Sequence, residues 1–192
     1  MTPRRKNTRN ALIETATELF SSRGFNGVSI QDVAVELGIT KQALLHHFEK
    51  KEKLFAEVLE RLADRLMKIV TEFEASEEVA ADRFQQLHDQ LNAYFVDNPQ
   101  DGRLIARVVL DTSQQPGEKR KWYLKPFLEK LTDIIALDSQ CKDMERLEVF
   151  ALVYQMVSKI LFFSISTDTL SGMYGDTDFH EIQDHYQSHL LG

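Results

Sequence analysis

SIQDVAVELGITKQALLHHF, residues 29–48, is the stretch that decides the fold. Val33, Ala34 and Leu37 on one side of Gly38, and Leu44 and Phe48 on the other, fall at helical spacing. Two short helices joined this tightly need a residue that accepts positive φ, which glycine does without steric cost. Ser29 with Asp32 resembles a capping box at the start of the first helix, and Thr40 caps the second. With Val33, Ala34, Leu37, Ile39, Leu44 and Phe48 turned inward, Lys41, Gln42, Leu45 and His46 point outward. Those side chains suit a DNA major groove: Lys reaches guanine O6/N7, Gln pairs with adenine N6/N7, and Leu touches a thymine methyl. Ser29 and Thr40, at helix N-termini, offer hydroxyls and backbone N–H groups to phosphates. The spacing by itself also fits a plain helical hairpin with a solvated outer face. The basic arm that precedes it favours DNA.

That arm, MTPRRKNTR, is polar and has no apolar run behind it, unlike a secretory signal. The net charge of −7 hides an asymmetry of +2 over residues 1–50 and −9 over the remainder. A DNA-facing head on an acidic body has this pattern, because the body repels phosphate and confines binding to the head. The first helix should run from about Thr8 to Ser22, with Leu12, Ala16, Leu19 and Phe20 on one face and Gly24 as its stop. The chain therefore divides into a head, residues 1–50, and a body, residues 51–192.

Three stretches together resemble the TetR family of bacterial transcriptional regulators. ALIETATELFSSRGFNGVSI is similar to that family's first helix and its exit, carried by Gly24, Phe25, Ser29 and Ile30. QDVAVELGITKQAL is similar to its helix-turn-helix core. LLHHFEKKEKLF is similar to its third-to-fourth helix signature through His47, Phe48, Lys51 and Leu54. The resemblance covers about residues 9–55 and implies a double-stranded DNA operator as partner. It also implies DNA contacts from His47 and Lys51, the latter to phosphate. Two positions depart: Leu45 stands where the family usually has a phosphate-touching Tyr, and Glu36 where it has a small residue.

The rest of the chain reads as helical, giving an all-α protein, a helix-turn-helix head on a larger helical body. A long helix over about 51–74 carries the stripe Leu54, Phe55, Val58, Leu62, Leu66, Ile69 and Phe73. Further helices are expected at about 79–96, 103–112, 119–138, 143–166 and 178–190. Asn98-Pro99 with Gly102, Pro116-Gly117, and Gly172 with Gly175 mark breaks between them. Residues 149–165, VFALVYQMVSKILFFSI, are apolar nearly all round, so the helix is buried on several sides or spans a membrane. Lys159 near its middle argues against the membrane.

What the family resemblance implies for this body is a homodimer built on the last two helices. Phe150, Val153, Tyr154, Val157, Leu161, Phe179, Ile182 and Tyr186 are the expected interface. It also implies an inducer pocket for a small molecule not identifiable from the residues. Phe73, Leu91, Tyr94, Phe95, Arg107, Val108, Trp122 and Phe127 are its expected lining, although most such residues in any protein simply fill the core. Embedded polar groups able to orient a ligand are His88, Asn92, Arg107, Gln155 and Ser158.

Catalysis is not expected. His180-Glu181 followed by His185 misses the His-Glu-x-x-His spacing of a zinc protease, since Asp184 stands at the required place. No P-loop, G-x-S-x-G or dinucleotide fingerprint occurs, and no cofactor or metal is expected. Cys141 is the single cysteine, which fits a reducing cytoplasm. The leading reading is a repressor that a small molecule releases from a palindromic operator. A ligand-independent, chromosome-associated spatial regulator and, more distantly, a helical enzyme are the alternatives.

Overall fold

α1 (Pro3–Arg23) begins earlier than its periodicity predicts and stops where expected. Gly24 takes φ +73° there, and its N–H donates to the Phe20 carbonyl at 2.9 Å. A computed structural model describes residues 3–76, 82–110 and 123–188, with side chains only over 8–186. Among the described residues every regular element is helical: α1, α2 (Ile30–Glu36), α3 (Lys41–Phe48), α4 (Lys51–Ala75), α5 (Arg83–Asp97), α6 (Pro99–Leu110), α7 (Lys125–Ile135) and α8 (Arg146–Ser188). The expected all-α architecture is what the chain adopts. One hydrophobic core runs from Leu12 in α1 to Ile160 in α8.

α2 ends in a Schellman motif. The Ile39 N–H reaches the Ala34 carbonyl at 2.9 Å, and the Gly38 N–H reaches that of Val35 at 3.0 Å. Gly38 has φ +63°, and nothing lies within 4 Å of a Cβ built on it. Backbone conformation alone, with no steric crowding, selects glycine at this turn.

The expected break at 98–102 is confined to Asn98, between α5 and α6, and the helix resumes at once. Pro99 sits at the first helical position, where its missing N–H costs nothing. Gly102 lies inside the helix because α6 packs hard against α8: a Cβ there would meet Ser164 Oγ at 2.8 Å and Ile165 Cγ2 at 3.3 Å. Gly102→Val should therefore push the two helices apart and cost about 1–3 kcal/mol. Chemical denaturation checks this; an unchanged midpoint would show that α8 yields freely.

α8 continues well past the expected end at 166 and is interrupted only at Gly175, with φ +78° and ψ 162°, a conformation reserved for glycine. The chain turns back there. The rings of Phe163 and Tyr186 stack at 3.9 Å with 8° between planes, so the two arms of α8 run side by side. Each is one of the two long helices expected at the C-terminus. Among the described residues α8 is the one helix long and apolar enough, by composition, to cross a membrane. One of its faces packs on α5, α6 and α7 instead.

Candidate nucleic-acid interface

The head is held by local chemistry. Ser29 Oγ accepts from the Asp32 N–H at 3.1 Å, and the Ser29 N–H donates to Asp32 Oδ2 at 2.7 Å, completing the capping box. The Ser29 N–H, and after it the Ser29 hydroxyl, favour the ionised carboxyl and hold Asp32 below the usual carboxylate range. Thr40 Oγ1 accepts from the Ala43 N–H at 3.2 Å and starts α3. Leu12, Ile13, Ala16, Phe20, Val33, Ala34, Leu44 and Phe48 are buried between α1, α2 and α3. Lys41, Gln42 and His46 are left exposed on one helix, which is the arrangement a groove requires.

Leu45 differs from expectation. It is half-buried against the head core rather than turned fully outward, because it sits at the edge of the seam that Leu44 and Phe48 close. His47 is half-buried too, with its ring 6.3 Å from that of Phe48. Lys51 holds its ammonium 4.1 Å above the Phe25 ring. Burial pulls its pKa down, and the nearby Glu52 and Asp32 partly oppose this. Phe25 in turn packs on Phe20 and Phe55, so the end of α1 and the start of α4 share one aromatic cluster.

Contacts distant in sequence fasten the head to the body. Arg9 pairs with Glu57 at 2.5 Å and lies over the Phe48 ring, while Arg61 donates to Asn10 Oδ1 at 2.7 Å. The Arg9 hydrogen bond is the main reason Glu57 sits below the usual carboxylate range. At the other end of α1, Arg107 of α6 donates to the carbonyls of Ser21 at 2.7 Å and Ser22 at 2.5 Å. Those carbonyls have no partner within α1, and a cation at a helix C-terminus is favourable. Arg107 thus belongs to the head–body joint, a correction of its placement in a ligand pocket.

α4 and α6 are locked in turn. Asp101, only 1% exposed, receives Arg65 in a fork, with Nη2 to Oδ1 at 2.7 Å and Nε to Oδ2 at 3.1 Å. The Tyr94 hydroxyl also donates to Asp101 Oδ2, and Arg65 Nε donates to that hydroxyl oxygen at 3.0 Å. Burial, then the Asp101 carboxylate, pushes the Tyr94 hydroxyl up to about 12. A folded pKa above the unfolded one, about 10, leaves the phenol's contribution intact below that pH. The contribution is lost as pH rises towards 12. Tyr94→Phe should flatten the loss of stability between pH 10 and pH 12, measured by urea titration; an equal loss in both proteins would place the alkaline transition elsewhere.

The remaining expected pocket residues divide. Phe73, Leu91, Phe95 and Phe127 are fully packed in the core, and Tyr94 and Val108 are half-buried beside it. Trp122 lies outside the described residues, as do the turn at 116–117 and the first part of the helix expected at 119–138. The best-formed concavities among the described residues are open clefts elsewhere. One lies between α1 and α6, around Ser21, Gln100 and Arg103; the other lies beside Tyr174, Glu181 and Tyr186.

The interface residues also divide. Val153 and Val157, at 0% and 8% exposure, face their own chain's core, a correction to their expected role. An all-round apolar helix gives its periodicity no way to mark which side is which. Phe150 and Tyr154 are exposed and stacked on each other at 6.2 Å, whereas Leu161, Phe179, Ile182 and Tyr186 are half-buried. Leu147 and Phe162, at 78% and 71% exposure, extend the outer face of α8 and were missed.

Residues 12–58 match the family profile described as "Bacterial regulatory proteins, tetR family". The HTH-type transcriptional activator FasR of Mycolicibacterium smegmatis is 28% identical over 138 residues, 70% of this chain; the match spans 62% of FasR's own length. The fold is shared with the TetR family transcriptional regulator PfmR of Thermus thermophilus, with a TM-score of 0.60 at 21% identity over 100% of this chain and 99% of that one. A transcriptional regulator of Saccharomonospora viridis, in complex with choline, superposes with a TM-score of 0.65 at 20% identity, covering 96% and 97% of the two chains. These relatives are regulators, not enzymes. The head thus carries the sequence of the TetR family of transcriptional regulators, and the whole chain has the fold of the solved TetR-family regulator it is compared with.

Proposed function

We propose that the protein acts in the cytoplasm as a homodimeric repressor. In this reading it binds a near-palindromic operator through its head, residues 1–50, and leaves it when a small molecule occupies the body, residues 51–192. The observation that carries the DNA reading is α3, whose N-terminal turn is capped by Thr40 and presents Lys41 and Gln42 to solvent. Ser29, Leu45, His46, His47 and Lys51 flank these two as phosphate or base contacts. Two recognition helices about 34 Å apart enter successive major grooves on one side of the duplex. The dimer reading rests on the outer face of α8, where Leu147, Phe150, Tyr154 and Phe162 form an apolar stripe too long to be ordinary for a monomer surface.

Release follows from the joint. α1 is fastened to α4 by Arg9 and Arg61 and to α6 by Arg107, while Arg65 and Asp101 tie α4 to α6. A shift of α6 by a ligand is therefore passed to the head from both sides. A tenfold drop in operator affinity needs only about 1.4 kcal/mol of differential binding between the two states. The packing of Phe73, Leu91, Phe95 and Phe127 is what favours the second reading, a DNA binder that works without a small ligand.

Lys41→Ala or Gln42→Ala should weaken the operator complex by about 1–3 kcal/mol and relax base preference at one position of each half-site. Lys51→Ala should weaken all duplexes alike. Binding selections on randomised duplexes read both effects; altered base preference in Lys51→Ala and none in Gln42→Ala would reverse the assignment. A screen of lipophilic and cationic compounds for operator release separates the ligand-responsive reading from the ligand-independent one.

A further inference from the structure

Of the five embedded polar groups that the sequence offers to a ligand in the body, the structure buries one among apolar side chains with an atom unused by the described residues. Gln155 and Ser158 lie on the exposed face of α8, Arg107 caps α1, and Asn92 is half-buried. His88 is 3% exposed and shares its stripe of α5 with the buried Leu87, Leu91 and Phe95. Its Nδ1 lies 2.9 Å from Asp89 Oδ1, and its Nε2 has no hydrogen-bond partner among the described residues.

The partner of Nδ1 sets the tautomer. An aspartate carboxylate only accepts, so Nδ1 carries the proton. A second proton on Nε2 would put an unpaired charged donor into the apolar core, which is far costlier than a bare lone pair. In that tautomer Nε2 carries a lone pair, a buried acceptor that none of the described residues uses.

We propose that His88 Nε2 is the polar anchor of the body's ligand site, and that the ligand is an apolar molecule carrying a hydroxyl group. The proposal rests on the ligand-responsive reading above and deepens it. A hydroxyl supplies the missing donor. A carboxylate of the same length would set its lone pairs against that of Nε2, an ether would leave the acceptor unmade, and a protonated amine would bring an uncompensated charge. Sites built around one buried hydrogen bond discriminate strongly against analogues that lack it.

The test uses the full-length protein with 1-octanol, octanoate and 1-methoxyheptane, read by thermal melting and by the 15N shifts of the His88 ring. An unprotonated Nε2 shift that moves on adding octanol is expected. Octanol should saturate the melting shift at a concentration at least tenfold below the other two. His88→Gln, which keeps an acceptor, should retain that preference. His88→Leu should melt no lower than the wild type and lose it. Equal binding of all three probes, no response to any of them, a protonated Nε2, or a His88→Leu protein that melts far below the wild type would each overturn the proposal. If octanol fails while another compound releases operator DNA in the screen, ligand control stands and only the His88 assignment falls.

Discussion

Asp101→Ala should destabilise the protein by about 3 kcal/mol, lowering the melting temperature by about 6–12 °C for a chain of this size. Asp101 is buried at 1% exposure, and three hydrogen-bond donors converge on it from Arg65 and Tyr94. Removing the carboxylate leaves the Arg65 guanidinium without its counter-charge and the Tyr94 hydroxyl without its acceptor. Breaking a fully buried pair costs about 3–5 kcal/mol, and the 40% exposure of the Arg65 side chain moves the figure to the lower end, since water reaches the stranded charge. Asp101→Asn keeps one acceptor and should cost less. Operator affinity should fall more than stability alone explains, because the same cluster ties α4 to α6 beneath the head. Scanning calorimetry and operator titration of both variants check this; melting within a degree of the wild type would show that water already serves Arg65.

Tyr154→Glu combined with Phe162→Glu should turn the dimer into monomers and lower operator affinity at least about a hundredfold. The two residues are 53% and 71% exposed on the outer face of α8, and the two-fold axis doubles each substitution. Each carboxylate would be desolvated without a partner in the dimer, at a cost of several kcal/mol, yet would be solvated in the monomer. The monomer fold should survive, because neither side chain belongs to the core. Val157→Asp makes the contrast: Val157 is buried against its own chain, so a charge there should unfold the protomer rather than separate two of them. Sedimentation and melting of the two variants distinguish these outcomes. A dimeric double variant of wild-type affinity would place the interface on another surface.

The head was legible because its signals are local. Gly24, Gly38, Ser29 with Asp32, and Thr40 each act within six residues along the chain, and each sits where its chemistry requires. The joint was not legible. Arg107 meets carbonyls more than eighty residues away, and Arg65 meets Asp101 across thirty-six. No local pattern encodes such a meeting. An acidic residue in the first turn of α6 reads simply as a favourable helix start. The break expected over Asn98-Pro99 is there, but its extension to Gly102 failed for a related reason. A glycine that admits a neighbouring helix and a glycine that ends a helix look alike until Ser164 is placed beside one of them. In α8, apolar residues on nearly every side left the inward and outward faces indistinguishable, so Val153 and Val157 were grouped with Phe150 and Tyr154.

Selection of genomic fragments by the whole chain at physiological salt shows whether α3 reads duplex sequence. Enrichment of a near-palindrome with half-sites about one helical turn apart is expected, bound at nanomolar order, with affinity falling steeply as salt rises. Fragments recovered without a shared sequence, and bound no more tightly than random duplex, would contradict that role of α3.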